Sequence, residues 1–215
     1  RYFGPIPARP VPPRRGVAEP IRTEERRKVM TDPLAPRAAL AVGYRVPDPN
    51  ADLSAYLPYY LLTDVLTTGD ASRLERRLVQ KDRLAIGVST YLGTFGDPFD
   101  QRDPLLLTLE ARHTNESTPD AVLAAVDDEL TRLANDGLEP GELERVQAQV
   151  ASAILRESDD VLGRALTMAT FELHHGRAEL LSELPGLLAE VTGEAVAAAA
   201  GSLLQQGRAV LELRP

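Results

Sequence analysis

Three histidines, His113, His174 and His175, are the only imidazoles in this 215-residue chain, which contains no cysteine. A zinc hydrolase needs two imidazoles one helical turn apart and a carboxylate to act as base. His174 and His175 are adjacent, so on a helix they project about 100° apart and cannot both face one metal ion. They stand in the last turn before Gly176, where imidazoles can meet the free carbonyls of a helix end. His113 closes a predicted strand and reads as a strand-end histidine with its hydrogen bonds satisfied. The lack of cysteine removes thiol catalysis, Fe–S clusters and cysteine-ligated zinc. No G-x-S-x-G, G-x-x-x-x-G-K-[ST] or G-x-G-x-x-G motif is present, so acyl-enzyme, P-loop and dinucleotide chemistry lack their minimum equipment. Asp127, Asp128 and Glu129 read as a solvated helix face. Tyr56, Tyr59 and Tyr60 read as packing groups. Taken residue by residue, the chain holds no complete active site.

The elements that would position these residues follow from hydrophobic periodicity. Residues 27–31 read as a short strand, and 37–46 as a longer one ending at Pro47. From Ala51 the period lengthens, placing Leu53, Leu57, Tyr60, Leu61 and Val65 on one helix face, with a kink or late start at Pro58. A helix resumes over 72–81. Residues 84–92 alternate, with Leu84, Ile86, Val88, Thr90 and Leu92 on one face and Ala85, Gly87, Ser89 and Tyr91 on the other. A loop spans 93–104. Residues 105–113 then offer Leu105, Leu107, Leu109 and Ala111 to a core, and Leu106, Thr108, Glu110 and Arg112 to water.

The second half is helical. Thr118 caps a helix striped by Val122, Val126, Leu130 and Leu133, which stops at Asn135-Asp136-Gly137. Another begins near Pro140 and buries Leu143, Val146, Val150 and Ile154. Ser158 is the expected cap of a third, with a stripe of Leu162, Leu166, Ala169 and Leu173. Thr192 opens the last helix, and 209–213 close the chain as a strand. Strands, then a block of helices, then a strand is an α+β pattern. The expected architecture is a mixed, largely antiparallel sheet with helices packed on its leucine-rich face. The other face stays open and could line a cavity.

Residues 1–28 carry eight basic and three acidic side chains, or +5, within a chain whose net charge is −8. Six of the 17 prolines fall in this stretch, so residues 1–20 read as an extended interdomain linker and 21–215 as a single domain. The acidic body argues against nucleic acid as a partner. No apolar run approaches the roughly 20 residues of a membrane span. The chain opens at Arg1 with no signal-peptide pattern, and a cytoplasmic location is the expectation.

Gly69-Asp70-Ala71-Ser72-Arg73-Leu74-Glu75-Arg76-Arg77-Leu78, followed by Leu84-Ala85-Ile86-Gly87-Val88, resembles the S-R-L-x-x-x-L-R-x-x-x-x-L-A-Y-x-V segment of insulinase-like, or pitrilysin-type, zinc metallopeptidases. Other stretches resemble that family in the same order. They are Tyr2-Phe3-Gly4-Pro5-Ile6-Pro7, Val42-Gly43-Tyr44-Arg45-Val46-Pro47, Leu138-Glu139-Pro140-Gly141-Glu142-Leu143-Glu144-Arg145 and Val191-Thr192-Gly193-Glu194-Ala195-Val196.

The resemblance implies the second, non-zinc half of a clamshell peptidase built around a chamber. The HxxEH motif and later glutamate ligand belong to the first half, so zinc is expected in the parent or a partner and no cofactor in this chain. The implied partners are a homologous N-terminal zinc domain or partner subunit, and a peptide or protein substrate; a dimer is expected of the parent. The family's second half often supplies an arginine and a tyrosine that hold substrate, and these align with Val79 and Ile86. Neither can donate a side-chain hydrogen bond. Ile86 is expected in the core and Val79 partly exposed, with Arg73 and Arg83 the nearest cations for a peptide carboxylate or carbonyl. The alternative is a structural or assembly subunit of the same fold. Isothermal titration of the chain with Zn²⁺ is expected to reveal no tight stoichiometric site; submicromolar one-to-one binding lost on replacing His174 and His175 would contradict this.

Overall fold

Leucine at every second position of a strand makes one sheet face insoluble until something covers it. The computed structural model shows how this is met. It describes every residue except Arg1, Tyr2, Phe3, Val11, Arg14, Val17, Glu19, Thr94, Phe95, Gly96 and Asn115. Tyr2 and Phe3 of the opening motif, and parts of the expected linker and of the 93–104 loop, therefore lie outside the described residues. The order is β1 (Arg26–Thr31), β2 (Ala39–Val46), α1 (Leu53–Thr67), a π-helix (Glu75–Lys81), β3 (Ala85–Leu92), β4 (Leu105–His113), α2 (Pro119–Asp136), α3 (Glu142–Asp159), α4 (Val161–His175), α5 (Leu180–Ala189), α6 (Gly193–Leu204) and β5 (Ala209–Arg214). The sheet order is β1-β5-β2-β4-β3. Only β1 and β5 run parallel; the other neighbours are antiparallel.

Among the described residues the helices all lie on one face of the sheet. Leu40, Val42, Tyr44 and Val46 of β2 and Leu105, Leu107, Leu109 and Ala111 of β4 are buried. Helix α1 packs on β3 and α6, α2 packs on α6 and β4, and α3, α4 and α5 form a second tier beside α1. Thr118 caps α2 and Thr192 caps α6, each accepting from the backbone N–H three residues on. Pro58 lies inside α1, which runs through it. Tyr56, with its hydroxyl donating to the Pro98 carbonyl at 2.6 Å, and Tyr60 pack edge-on to Phe99. No single helix among the described residues is long and apolar enough to cross a membrane.

Two expectations are corrected and one helix is added. First, Ile86 is 47% exposed. A β-bulge makes Ala85 face His113 and Gly87 face Arg112, leaving Ile86 as the extra residue. An inserted residue reverses the alternation, so Ala85 takes the core side while Val88, Thr90 and Leu92 keep it. Second, α4 is turned away from its leucine stripe: Leu162, Leu166 and Leu173 are exposed while Phe171 is 1% exposed. Phe171 docks against Phe99 at 5.4 Å between ring centroids. Asp160, not Ser158, caps the helix through Gly163 N–H, and Ser158 donates to the Ile154 carbonyl. The added helix is α5, burying Leu180, Leu184 and Leu188 at four-residue spacing despite Pro185.

Opposite outcomes are expected for two residues of α4. Phe171→Ala should destabilise the chain by about 3–5 kcal/mol, whereas Leu166→Glu should change stability by no more than about 0.5 kcal/mol. Urea denaturation checks both; unfolding by Leu166→Glu would mean the stripe is covered.

Candidate functional site

The surface left uncovered by the helices is built from the alternate residues of all five strands. Register places Arg26, Ala209, Gly43, Thr108 and Tyr91 in one row across it, and Lys28, Leu211, Ala41, Glu110 and Ser89 in the next. Along central β2 the outward residues are Ala39, Ala41, Gly43 and Arg45, a low trough between taller neighbours. On the β3 side Tyr91 donates to Glu110 Oε1 at 2.7 Å. Arg112 lies over Gly87, where a Cβ would meet its Nη2 at 3.1 Å. Among the described residues the trough presents cations, carboxylates and small side chains, with no assembled nucleophile and base. Alternation in the sequence already assigns Gly87, Ser89, Tyr91, Glu110 and Arg112 to this face.

Ile86 lies at its β3 edge, and Val79 in the π-helix that packs on β3. Val79 is partly buried against the core, in a helix where Asp82 N–H reaches back five residues to the Arg77 carbonyl at 2.9 Å. Ile86 protrudes from the bulge at the sheet edge. Arg83, just after the π-helix, is exposed and adopts φ = 53°.

Arg73 is turned inward, contrary to its expected place beside a substrate. It is 8% exposed, and its Nε and Nη2 donate to the two Glu142 carboxylate oxygens at 2.9 and 2.7 Å. Nη2 also donates to the Gly137 carbonyl at 3.0 Å, and Glu129 lies 3.5 Å from Nη1. Glu142 accepts in turn from Glu139 N–H at 2.9 Å. Burial pushes the Glu142 carboxyl up, but Arg73 and the Glu139 N–H outweigh it and hold it below the usual carboxylate range. Arg73 thus fastens the start of the π-helix to the α2–α3 connection. Each partner sits in a segment that is legible alone, but they are 69 residues apart in sequence, and no local pattern announces the pair.

The histidines do not converge. His113 is buried, with Nδ1 3.0 Å from the Thr114 carbonyl. His175 packs edge-on to Phe171 at 5.7 Å; burial holds its imidazolium below the ordinary value, partly offset by the Phe99 backbone. The expected hydrogen bonding to the carbonyls of the helix end is not made by His174 Nδ1 or His175 Nε2, both buried without partners; Gly176 N–H bonds the Glu172 carbonyl instead. Among the described residues no group of three His, Asp or Glu side chains could hold a metal ion, so these residues do not fit a zinc centre.

The helices leave one face of the α+β sheet open, and among the described residues there is no metal-ligand set. Residues 1–150 match the model of the peptidase M16 inactive domain, and the chain belongs to that family. No curated protein matches it. Among solved structures, a protease from Helicobacter pylori superposes with a TM-score of 0.82 at 16% identity, over 97% of this chain and 48% of that one. The inactive peptidase domain of a Bordetella parapertussis protein gives 0.70 at 20% identity, over 83% and 91%. The periplasmic protease PqqL from Escherichia coli gives 0.72 at 20% identity, over 100% and 23%. This chain thus spans about half the length of the Helicobacter protease, and the likeness in each case is one of fold.

Arg73→Ala should destabilise the chain by about 3–5 kcal/mol, because it strands a buried carboxylate. Replacing both partners, Arg73→Met with Glu142→Leu, should recover much of that loss. Since Glu142 titrates below its unfolded value, its contribution is present above the ordinary carboxylate range and lost as pH falls through the folded value. Urea denaturation against pH should therefore slope less steeply below pH 5 in Glu142→Gln than in the parent; equal slopes would contradict the assignment.

Proposed function

We propose that this domain is the non-zinc-binding half of a chambered metallopeptidase, with its open sheet face turned to the substrate. The observation that carries the reading is the uncovered face of a sheet whose helices all lie on the other side, in a chain of the peptidase M16 inactive-domain family. Peptide hydrolysis then belongs to a homologous zinc-bearing half, in the same protein or a partner subunit. The longer Helicobacter protease, of which this chain matches 48%, supports a second half of comparable size. This domain contributes no proton transfer and no metal ligand; it confines and orients an extended peptide. The exposed α4 leucines provide apolar surface for contact with the zinc-bearing half.

A second reading is favoured by Val79 and Ile86, which replace the donor pair expected from the family resemblance: a structural or assembly subunit of the same fold, without any role in hydrolysis. Mixing this chain with its zinc-bearing half and following cleavage of a quenched peptide separates the two. The peptidase reading predicts that the zinc half alone is at least about tenfold slower, since substrate positioning is worth at least that much. Equal activity with and without this chain would establish the assembly reading instead.

A further inference from the structure

The trough along β2 runs into a cleft of about 430 Å³ at one end of the open face, within the size range of ligand sites. Its floor is Gly43, Leu106 and Ala209, and among the described residues it is lined by five arginines, Arg22, Arg26, Arg45, Arg102 and Arg208, and one carboxylate, Asp103. Such a concentration is unexpected in a chain of net charge −8. Arg208 is committed to structure, bonding Asp127 through Nη2 at 3.0 Å and Glu25 through Nε at 2.8 Å. Arg102 donates to the Leu173 carbonyl at 2.6 Å. Arg22, Arg26 and Arg45 have no carboxylate partner among the described residues.

The wall carrying Arg22 and Arg26 is fixed in place. Gly207 N–H donates to the Arg22 carbonyl at 2.9 Å, and Arg26 N–H donates to the Arg208 carbonyl at 2.8 Å. At Gly207 a Cβ would lie 2.4 Å from the Glu24 carbonyl oxygen, so only glycine permits this approach. On the opposite side, the Arg45 carbonyl accepts from Gln206 Nε2 at 2.9 Å. These contacts hold the backbone of Arg22, Arg26 and Arg45 around an apolar floor at the end of a strand-length trough.

We propose that this cleft binds the carboxylate side chains of an extended acidic peptide. Guanidinium groups pair with carboxylates through two parallel hydrogen bonds. The apolar floor suits the aliphatic parts of a peptide, and small outward residues at Ala39, Ala41 and Gly43 leave room for its backbone. The proposal names a substrate class for the open face and rests on the chamber reading for a peptide as the occupant. Its test uses this chain alone, so it can fail while the zinc-half experiment succeeds, and the reverse.

The test is fluorescence anisotropy of the 215-residue chain with a labelled peptide alternating Glu and Leu, amidated at its C-terminus. A Gln-for-Glu counterpart is measured both amidated and with a free C-terminal carboxylate. Only the Glu peptide is expected to bind, with affinity falling as salt rises. Arg26→Glu combined with Arg45→Glu should weaken binding roughly tenfold or more, while Arg177→Glu, on the helical side, should not change it. The neutral pair Arg26→Gln and Arg45→Gln serves if the reversed pair fails to fold. Equal binding of the amidated Gln peptide, or no effect of the arginine substitutions, overturns the proposal. Equal binding of the free-carboxylate Gln peptide assigns the cleft to a chain terminus, and displacement by equimolar inorganic phosphate or single-stranded DNA assigns it to phosphate; either result also overturns it.

Discussion

A five-stranded sheet buries one face under helices and leaves the other to water where its side chains alternate between the two faces, and here the alternation of β2 and β4 sets everything else. The inward row of Leu40, Val42, Leu105, Leu107 and Leu109 recruits α1, α2 and α6. The outward row of Ala39, Ala41, Gly43 and Arg45 is held free of them. The strand-to-strand hydrogen bonds transmit that choice to β5, β1 and β3.

The second tier depends on a different interaction. The bidentate Arg73–Glu142 pair joins the residues just before the π-helix to the first residue of α3, and Arg76 reaches Glu139 in the turn before α3 at 3.3 Å. The segments around Ser72-Arg73-Leu74 and Leu138-Glu139-Pro140-Gly141-Glu142 thus touch each other. A buried ion pair of this kind adds little net stability over an apolar pair of similar volume. It fixes the register between two elements, because either charge is costly when its partner is misplaced.

Strong, uninterrupted periodicity made much of this legible in advance. The alternation from Leu105 to His113 and the capping residues Thr118 and Thr192 specify their elements locally, so sequence and structure agree there. Ile86 went astray because a bulge is a two-strand event: nothing in 84–92 alone says that Ala85 and Gly87 will face consecutive residues of β4. The α4 stripe misled because leucine marks a buried face only when something is there to cover it. Gly163, Thr167 and Phe171 repeat at the same spacing, and the aromatic cluster around Phe99 decides between the two faces. The arginine cleft was invisible for a third reason, since its five arginines come from the segment before β1, two strands and two loops that only the tertiary fold brings together.

If the open face is the substrate-facing wall, proximity to peptide should divide the molecule in two. Photocrosslinking in the complete peptidase, with benzoylphenylalanine placed singly at Ala41, at Tyr91 and at Leu166, tests this most directly. The account predicts crosslinks to a bound peptide substrate from Ala41 and Tyr91, and none from Leu166. Crosslinks from Leu166 with none from the two strand positions would place the substrate on the helical side and contradict it.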